Sequence, residues 1–367
     1  MTADINPERL LHLLTELVDI YSPSGKEGEA VDFLEEYLTA RGLPVRRQEV
    51  TEDRFNLIVY SGKEPPSVVL MGHVDTVPAF DYDNYRADPD GDTLYGLGSA
   101  DMKGGCAAMV EAFLTFQEMH PDKPLPAALA LVVGEEETGD GSMELCREYH
   151  FNWGVIGEPT EMRPCFSHFS YVEIELTTRG KRTHASVSRP EQNAVKTMLD
   201  LLNTLIGHVE QHKDDIIYNV RDMQSSQAGF AAPDLCTAYL DLHLPTRYAI
   251  GELTAELEEL VETEMTGQNK EFSLATIHNG YRLPRRGEMA RVIEAGFERT
   301  GIPFKPDTFR SDSDAPLLWQ AGIKPIVMGP GNLSVAHTNE ESVSIAQVED
   351  AARLYLALMV ELASSKI

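Results

Sequence analysis

Residues 68–78, VVLMGHVDTVP, constrain the fold more than any other stretch of this chain. The apolar run Val68, Val69, Leu70 reads as a buried strand, and it delivers His73 and Asp75 just past its end. Two residues apart on an extended segment, those side chains point the same way. A carboxylate so placed can hold one nitrogen of the imidazole, fixing the tautomer that leaves the other nitrogen free for a metal. The partner stretch is GLGSADMKGG, residues 96–105, which opens a helix expected over 105–119.

The 367 residues are too many for one ordinary core, so two domains are expected. Hydrophobic residues at 42% and charged residues at 25% are the mix of a globular protein, which argues against disorder or a fibrous repeat. No apolar run approaches the length of a membrane span, and MTADINPERLLHLLTEL lacks the basic and apolar blocks of an export signal, so a cytoplasmic protein is expected. The net charge of −28 repels phosphate backbones and anionic lipid, which argues against nucleic acid or membrane as partner. Cys106, Cys146, Cys165 and Cys236 form no C-x-x-C pair and read as reduced, mostly buried thiols.

Two helices open the chain. Asn6-Pro7 caps the first, with Leu10, Leu13, Leu14, Leu17 and Val18 as its apolar stripe, and a Ser24/Glu27 capping box is expected to start the second. Strands are expected at 44–50, 55–60, 67–71, 127–133 and 153–156. From Ser170 the rhythm becomes alternating: YVEIELTTRG and TAYLDLHLP read as strands with one solvated face, interleaved with a helix over 193–212, an acidic helix over 251–265 and a strand near 271–277. After Leu283 the first style resumes, with a helix over 287–300, a strand over 325–328 and a closing helix over 345–363. The expected division is therefore 1–168 and 283–367 for one domain, with 169–282 inserted as a second.

His73, Asp101, Glu137, Glu158 and His337 all fall at or shortly after a strand end of the first domain, except Asp101, which sits on the loop before a helix. In an open α/β sheet the carboxyl ends of the strands share one edge, where ligands bind, so these residues converge. Each has a plainer reading as a capping, turn or surface residue; all five at one edge make coincidence the weaker account. Two histidines and three carboxylates suit zinc, manganese or cobalt and exceed what one tetrahedral ion needs, so two ions sharing a carboxylate are expected. GLGSADMKGG also invites a phosphate-loop reading, but Asp101 stands where a phosphate would sit and the preceding segment does not read as a strand.

The motifs MGHVDTVP, YGLGSADMKGG, EEETG, GEPT, GKRTHAS, SDAP and GPGNLSVAHTNEES resemble, in order along nearly the whole chain, those of the co-catalytic zinc amidohydrolases and peptidases that include acetylornithine deacetylase, succinyl-diaminopimelate desuccinylase, aminoacylase and carboxypeptidase G. The resemblance implies a mixed-sheet α/β catalytic domain with an inserted ferredoxin-like lid and dimerisation domain. It implies that His73, Asp101 and Glu158 hold one zinc ion and His337, Asp101 and Glu137 the other, with Asp101 bridging. Glu136 would be the general base, Asp75 the partner of His73, and His184 a residue reaching a neighbouring active site in a homodimer.

The activity the resemblance implies is cleavage of the amide of a small N-acyl amino acid by a metal-bound water. A dipeptidase or carboxypeptidase is the alternative within the family, and a non-catalytic metal-binding pseudoenzyme the alternative of another class. Two departures bear on the substrate: Asp241-Leu242-His243 stands where relatives carry Asp-x-Arg, and Phe230-Ala231-Ala232-Pro233 lacks an expected Asn. Glu135-Glu136-Glu137 replaces Asp-Glu-Glu.

Overall fold

The strands that the apolar runs foretell assemble into one mixed sheet. The computed structural model describes residues 4–79, 85–213, 215–227, 229–264, 269–365 and 367. Two compact units divide the chain: Met1–Ser167 with Leu283–Phe309 and Ser313–Ile367, and His168–Arg282 with Arg310–Asp312.

In the first unit, β1 (Val45–Thr51), β2 (Arg54–Val59), β3 (Val68–His73), β4 (Ala128–Val132), β5 (Trp153–Ile156) and β6 (Lys324–Val327) lie in the order β1-β2-β4-β3-β5-β6. The last four are parallel to one another, while β1 and β2 run antiparallel. Every residue of β3 is buried, as a parallel strand covered on both faces requires. Leu70 pairs with Leu129 on one side and Val155 on the other, and all three are fully buried. Each such side chain contributes roughly 1.5–3 kcal/mol of burial. Because the four strands are parallel, His73, the residues after Val132, those after Ile156 and those after Val327 emerge at one edge.

The helices follow their stripes. Pro7–Asp19 is capped by Asn6, whose Oδ1 accepts from the Arg9 amide at 3.0 Å, and its five stripe residues are all buried. The second helix begins at Gly28 without the expected capping box. Ser24 instead donates to Asp75 at 2.6 Å, and the Glu27 carboxylate accepts from the Gly25 amide at 2.9 Å and from Arg54. The helix Gly104–Met119 is buried from Gly104 to Phe116. A short hairpin, Asp88–Asp90 with Thr93–Tyr95, precedes Gly96 where sequence gave no strand; residues 81–84 of that stretch lie outside the described residues.

The second unit has the order strand, helix, strand, strand, helix, strand. Its strands Ser170–Arg179, Ile217–Ser225, Leu235–Leu244 and Asn269–His278 form an antiparallel sheet in which Leu235–Leu244 and Ser170–Arg179 are central. Helices Ala194–His212 and Ile250–Glu264 cover one face, packing Leu201, Leu205 and Leu257 with Val172, Ile174 and Leu240. This is the ferredoxin-like arrangement that the alternating strands imply; position 265 of the acidic helix lies outside the described residues. Among the described residues no helix is long and apolar enough to cross a membrane, and all four cysteines are free.

Candidate metal centre

At the carboxyl edge of β3, β4 and β5 the backbone brings two histidines and several carboxylates within a few ångströms. His73 ends β3 and is buried, and its Nδ1 lies 3.0 Å from the carbonyl oxygen of Asp75, so as Nδ1–H it donates there. That bond leaves Nε2 free to face Asp101 Oδ1 at 3.2 Å, Glu135 at 3.7 Å and Glu158 at 3.8 Å. The expected carboxylate grip on the ring is looser, with Asp75 Oδ1 at 3.6 Å from Nδ1. The Asp75 carboxylate is committed elsewhere: it accepts from the amides of Glu135 at 3.2 Å and Glu136 at 3.0 Å and from Ser24.

Asp101 sits where the chain turns into the helix Gly104–Met119, and the peptide bond that follows it is cis. Its second oxygen, Oδ2, faces His337 Nε2 at 3.5 Å, and that nitrogen lies 3.0 Å from Glu136. His337 is held at φ 59°, a left-handed conformation uncommon outside glycine and of a kind that clusters at functional sites. Glu158 follows β5, where the glycine at 329 lets two strand ends meet: a Cβ there would lie 2.1 Å from the Gly157 carbonyl.

Two donor sets, His73–Asp101–Glu158 and Asp101–Glu136–His337, are joined at Asp101 through different oxygens, and a third grouping, His73–Glu135–Glu136, lies beside them. Donors about 2.1 Å from a tetrahedral zinc stand roughly 3.4 Å apart, which matches the spacings between these atoms. Glu158 Oε1 is buried with no hydrogen-bond partner, an orphan that a cation would satisfy. The electrostatics point the same way. Burial lifts the carboxyls of Glu135 and Glu158 well above the usual range. Burial presses the His337 imidazole down, but hydrogen bonds to Asp101 and Glu136 outweigh it and raise it to about 11. Both imidazoles stand among surplus carboxylate, an arrangement that suits a site built for positive charge. The residues present therefore fit a pair of divalent ions.

Of the sequence-predicted residues, His73, Asp75, Asp101, Glu136, Glu158 and His337 meet here. Glu137 does not: it is exposed and belongs to neither donor set among the described residues. Its place beside His337 is taken by Glu136, and the place next to both sets by Glu135, which sequence reasoning passed over. The reason lies in the turn. The Asp75 carboxylate pins the amides of residues 135 and 136, so the inward side chains are those two and the third glutamate leaves the site. His184 lies in the second unit on an exposed loop, its Nδ1 accepting from the Ser186 amide at 3.3 Å, next to Phe230, which is 90% exposed. His243, in the arginine position, has a buried Nδ1 with no partner and a ring 5.2 Å from that of Tyr171.

The model of peptidase family M20/M25/M40 matches residues 69–361, most of the chain. An acetylornithine deacetylase from Edwardsiella ictaluri is 29% identical over 341 residues, spanning 86% of this chain and 85% of that protein. A probable carboxypeptidase from Aspergillus flavus is 24% identical across 97% of this chain and 88% of its own length. The crystal structure of a tripeptidase from Staphylococcus aureus superposes with a TM-score of 0.82 at 22% identity, covering 99% of this chain and 100% of that one, a likeness of fold. With a family match over that span and a carboxylate-bridged pair of donor sets at the sheet edge, the chain belongs to peptidase family M20/M25/M40, as a hydrolase of amide bonds.

Proposed function

We propose that this protein is a two-metal hydrolase that removes the acyl group from a small N-acyl amino acid. One observation carries the reading: the two oxygens of Asp101 face different histidines, His73 and His337, each set completed by its own glutamate. His73, Asp101 and Glu158 would hold one ion and His337, Asp101 and Glu136 the other, with zinc the expected metal and cobalt or manganese as alternatives. When bound, the ions supply Lewis-acid polarisation of the amide carbonyl and lower the pKa of water.

Glu135 is the general base in this reading. It lies in neither Asp101-joined set, stands 3.7 Å from His73 Nε2, and is largely buried, so its carboxylate can take a proton from water and return it to the leaving amine. Asp75 orients both glutamates through their amides and His73 through its carbonyl. His184 of a second copy would donate to the tetrahedral oxyanion. A homodimer is supported by the exposed edge strands Ile217–Ser225 and Asn269–His278, whose outer backbone groups are open to pairing. A cytoplasmic setting is supported by the four free cysteines.

A short peptide is the second reading, supported by the probable carboxypeptidase among the relatives. Amine release from a panel of N-acyl amino acids and dipeptides, with zinc, manganese or cobalt and with a chelated control, separates the two. Metal-dependent release from the acylated amino acids is the expected result. Two ions bound per chain and no release from any compound would mean a non-catalytic binding protein.

A further inference from the structure

Behind the glutamate turn lies a partly buried ion cluster that the mechanism does not use. Arg54, near the start of β2, spans two carboxylates: its Nε and Nη2 donate to Glu27 at 3.1 and 2.8 Å, and its Nη2 donates to Asp140 at 3.1 Å while Nη1 makes a second, closer bond to Asp140. Asp140 begins the helix Asp140–Glu148, directly after the turn that carries the glutamates. The pair presses on the turn itself. Gly134 stands at φ 77°, and a Cβ there would lie 2.2 Å from Asp140 Oδ1 and 2.5 Å from Arg54 Nη2. The Gly134 carbonyl in turn accepts from the amides of Thr138 at 3.0 Å and Gly139 at 2.7 Å.

The contacts close into a ring. Glu27 accepts from the Gly25 amide, the adjacent Ser24 donates to Asp75, and Asp75 accepts from the amides of Glu135 and Glu136. The turn is thus held on its inner side by Asp75 and at its base by Arg54 and Asp140. A planar guanidinium is the group that can serve two carboxylates at once with fixed directions, and burial makes that geometry stiff.

We propose that Arg54, through Asp140, is a positioning residue for the metal centre. It holds the base of the turn whose inner side Asp75 pins, and so sets how closely Glu136 approaches His337 and Asp101. The inference rests on the two-metal reading, and the experiment keeps the two apart.

The test is Arg54→Lys in the full chain loaded with cobalt, read by visible absorption of the bound ions and by chelator competition. Lysine keeps the charge, but a point charge cannot bridge both carboxylates. The expected result is a shifted cobalt spectrum and a dissociation constant for the more weakly held ion raised roughly 10–100-fold, the range typical for groups that orient metal ligands. With substrate, kcat falls about tenfold while KM stays within about twofold, since no group that touches substrate has changed. Asp140→Asn removes the charge without changing volume and is expected to act in the same direction; it decides the matter if Arg54→Lys does not fold. A folded variant with the wild-type cobalt spectrum and constants overturns the positioning role. A wild-type chain that binds no cobalt overturns the two-metal reading instead.

Discussion

Three glutamates in a row bear on the chemistry more than any other residues, because a slip of one position exchanges ligand, base and bystander. In the proposed reading Glu136 joins the ion set of His337 and Glu135 is the base, while Glu137 is exposed. Glu135→Gln is therefore expected to keep two ions per chain and to lose about 10²–10⁴-fold in kcat. Glu136→Gln should lose metal, and Glu137→Gln should retain near wild-type turnover. Metal analysis of the purified variants beside their steady-state rates checks all three; an inactive Glu137→Gln with an active Glu135→Gln would restore the other register. His73→Ala should release an ion, and if that variant retains both, His73 is no ligand. Sequence could not fix the register, because identical neighbours carry no phase. What fixes it is a long-range bond, from the Asp75 carboxylate to the amides of residues 135 and 136, and the partner of a backbone amide is not written in side-chain pattern.

At the scale of elements, legibility follows local physics. The buried strand at 68–73, the helix stripes and the alternating strands of the second unit were readable because each is a periodic pattern imposed by one covered face. The exceptions are residues whose partners lie far along the chain. Ser24 and Glu27 match a capping box, yet their side chains serve Asp75 and Arg54, because a hydrogen bond to a charged group is worth more than a neutral local cap, and the cap yields to it. The hairpin Asp88–Asp90 with Thr93–Tyr95 escaped notice because it is short, polar and paired to Ser342–Ser344 near the other end of the chain. The central strand carries its own prediction. Leu70 is fully buried between Leu129 and Val155, so Leu70→Ala removes contacts to both flanking strands. A loss of about 2–5 kcal/mol in unfolding free energy is expected, measured by urea denaturation with unchanged slope. A loss under about 1 kcal/mol would mean that the sheet closes over the gap.

At the scale of the whole molecule, the net charge of −28 and the crowded carboxylates of the metal centre act together. Asp75, Asp101, Glu135, Glu136 and Glu158 share one edge of the sheet, and among the described residues the close ion pairs they make there are with the two imidazoles. Without ions, folding must press these groups together out of water, a cost that burial expresses by pushing the carboxyls of Glu135 and Glu158 well above their usual range. Divalent ions remove that cost in the folded state alone, because the unfolded chain does not gather the ligands. Ligand binding to the folded state stabilises it by about 2.7 kcal/mol at a free concentration 100 times the dissociation constant. Stripping the protein with a chelator should accordingly lower its thermal midpoint, and restoring zinc or cobalt should return it. The control separates this from general screening of the acidic surface: magnesium at equal ionic strength screens the same charge but is a poor ligand for imidazole. If magnesium restores the midpoint as fully as zinc, the stabilisation comes from surface charge, and the two histidines are not where it originates.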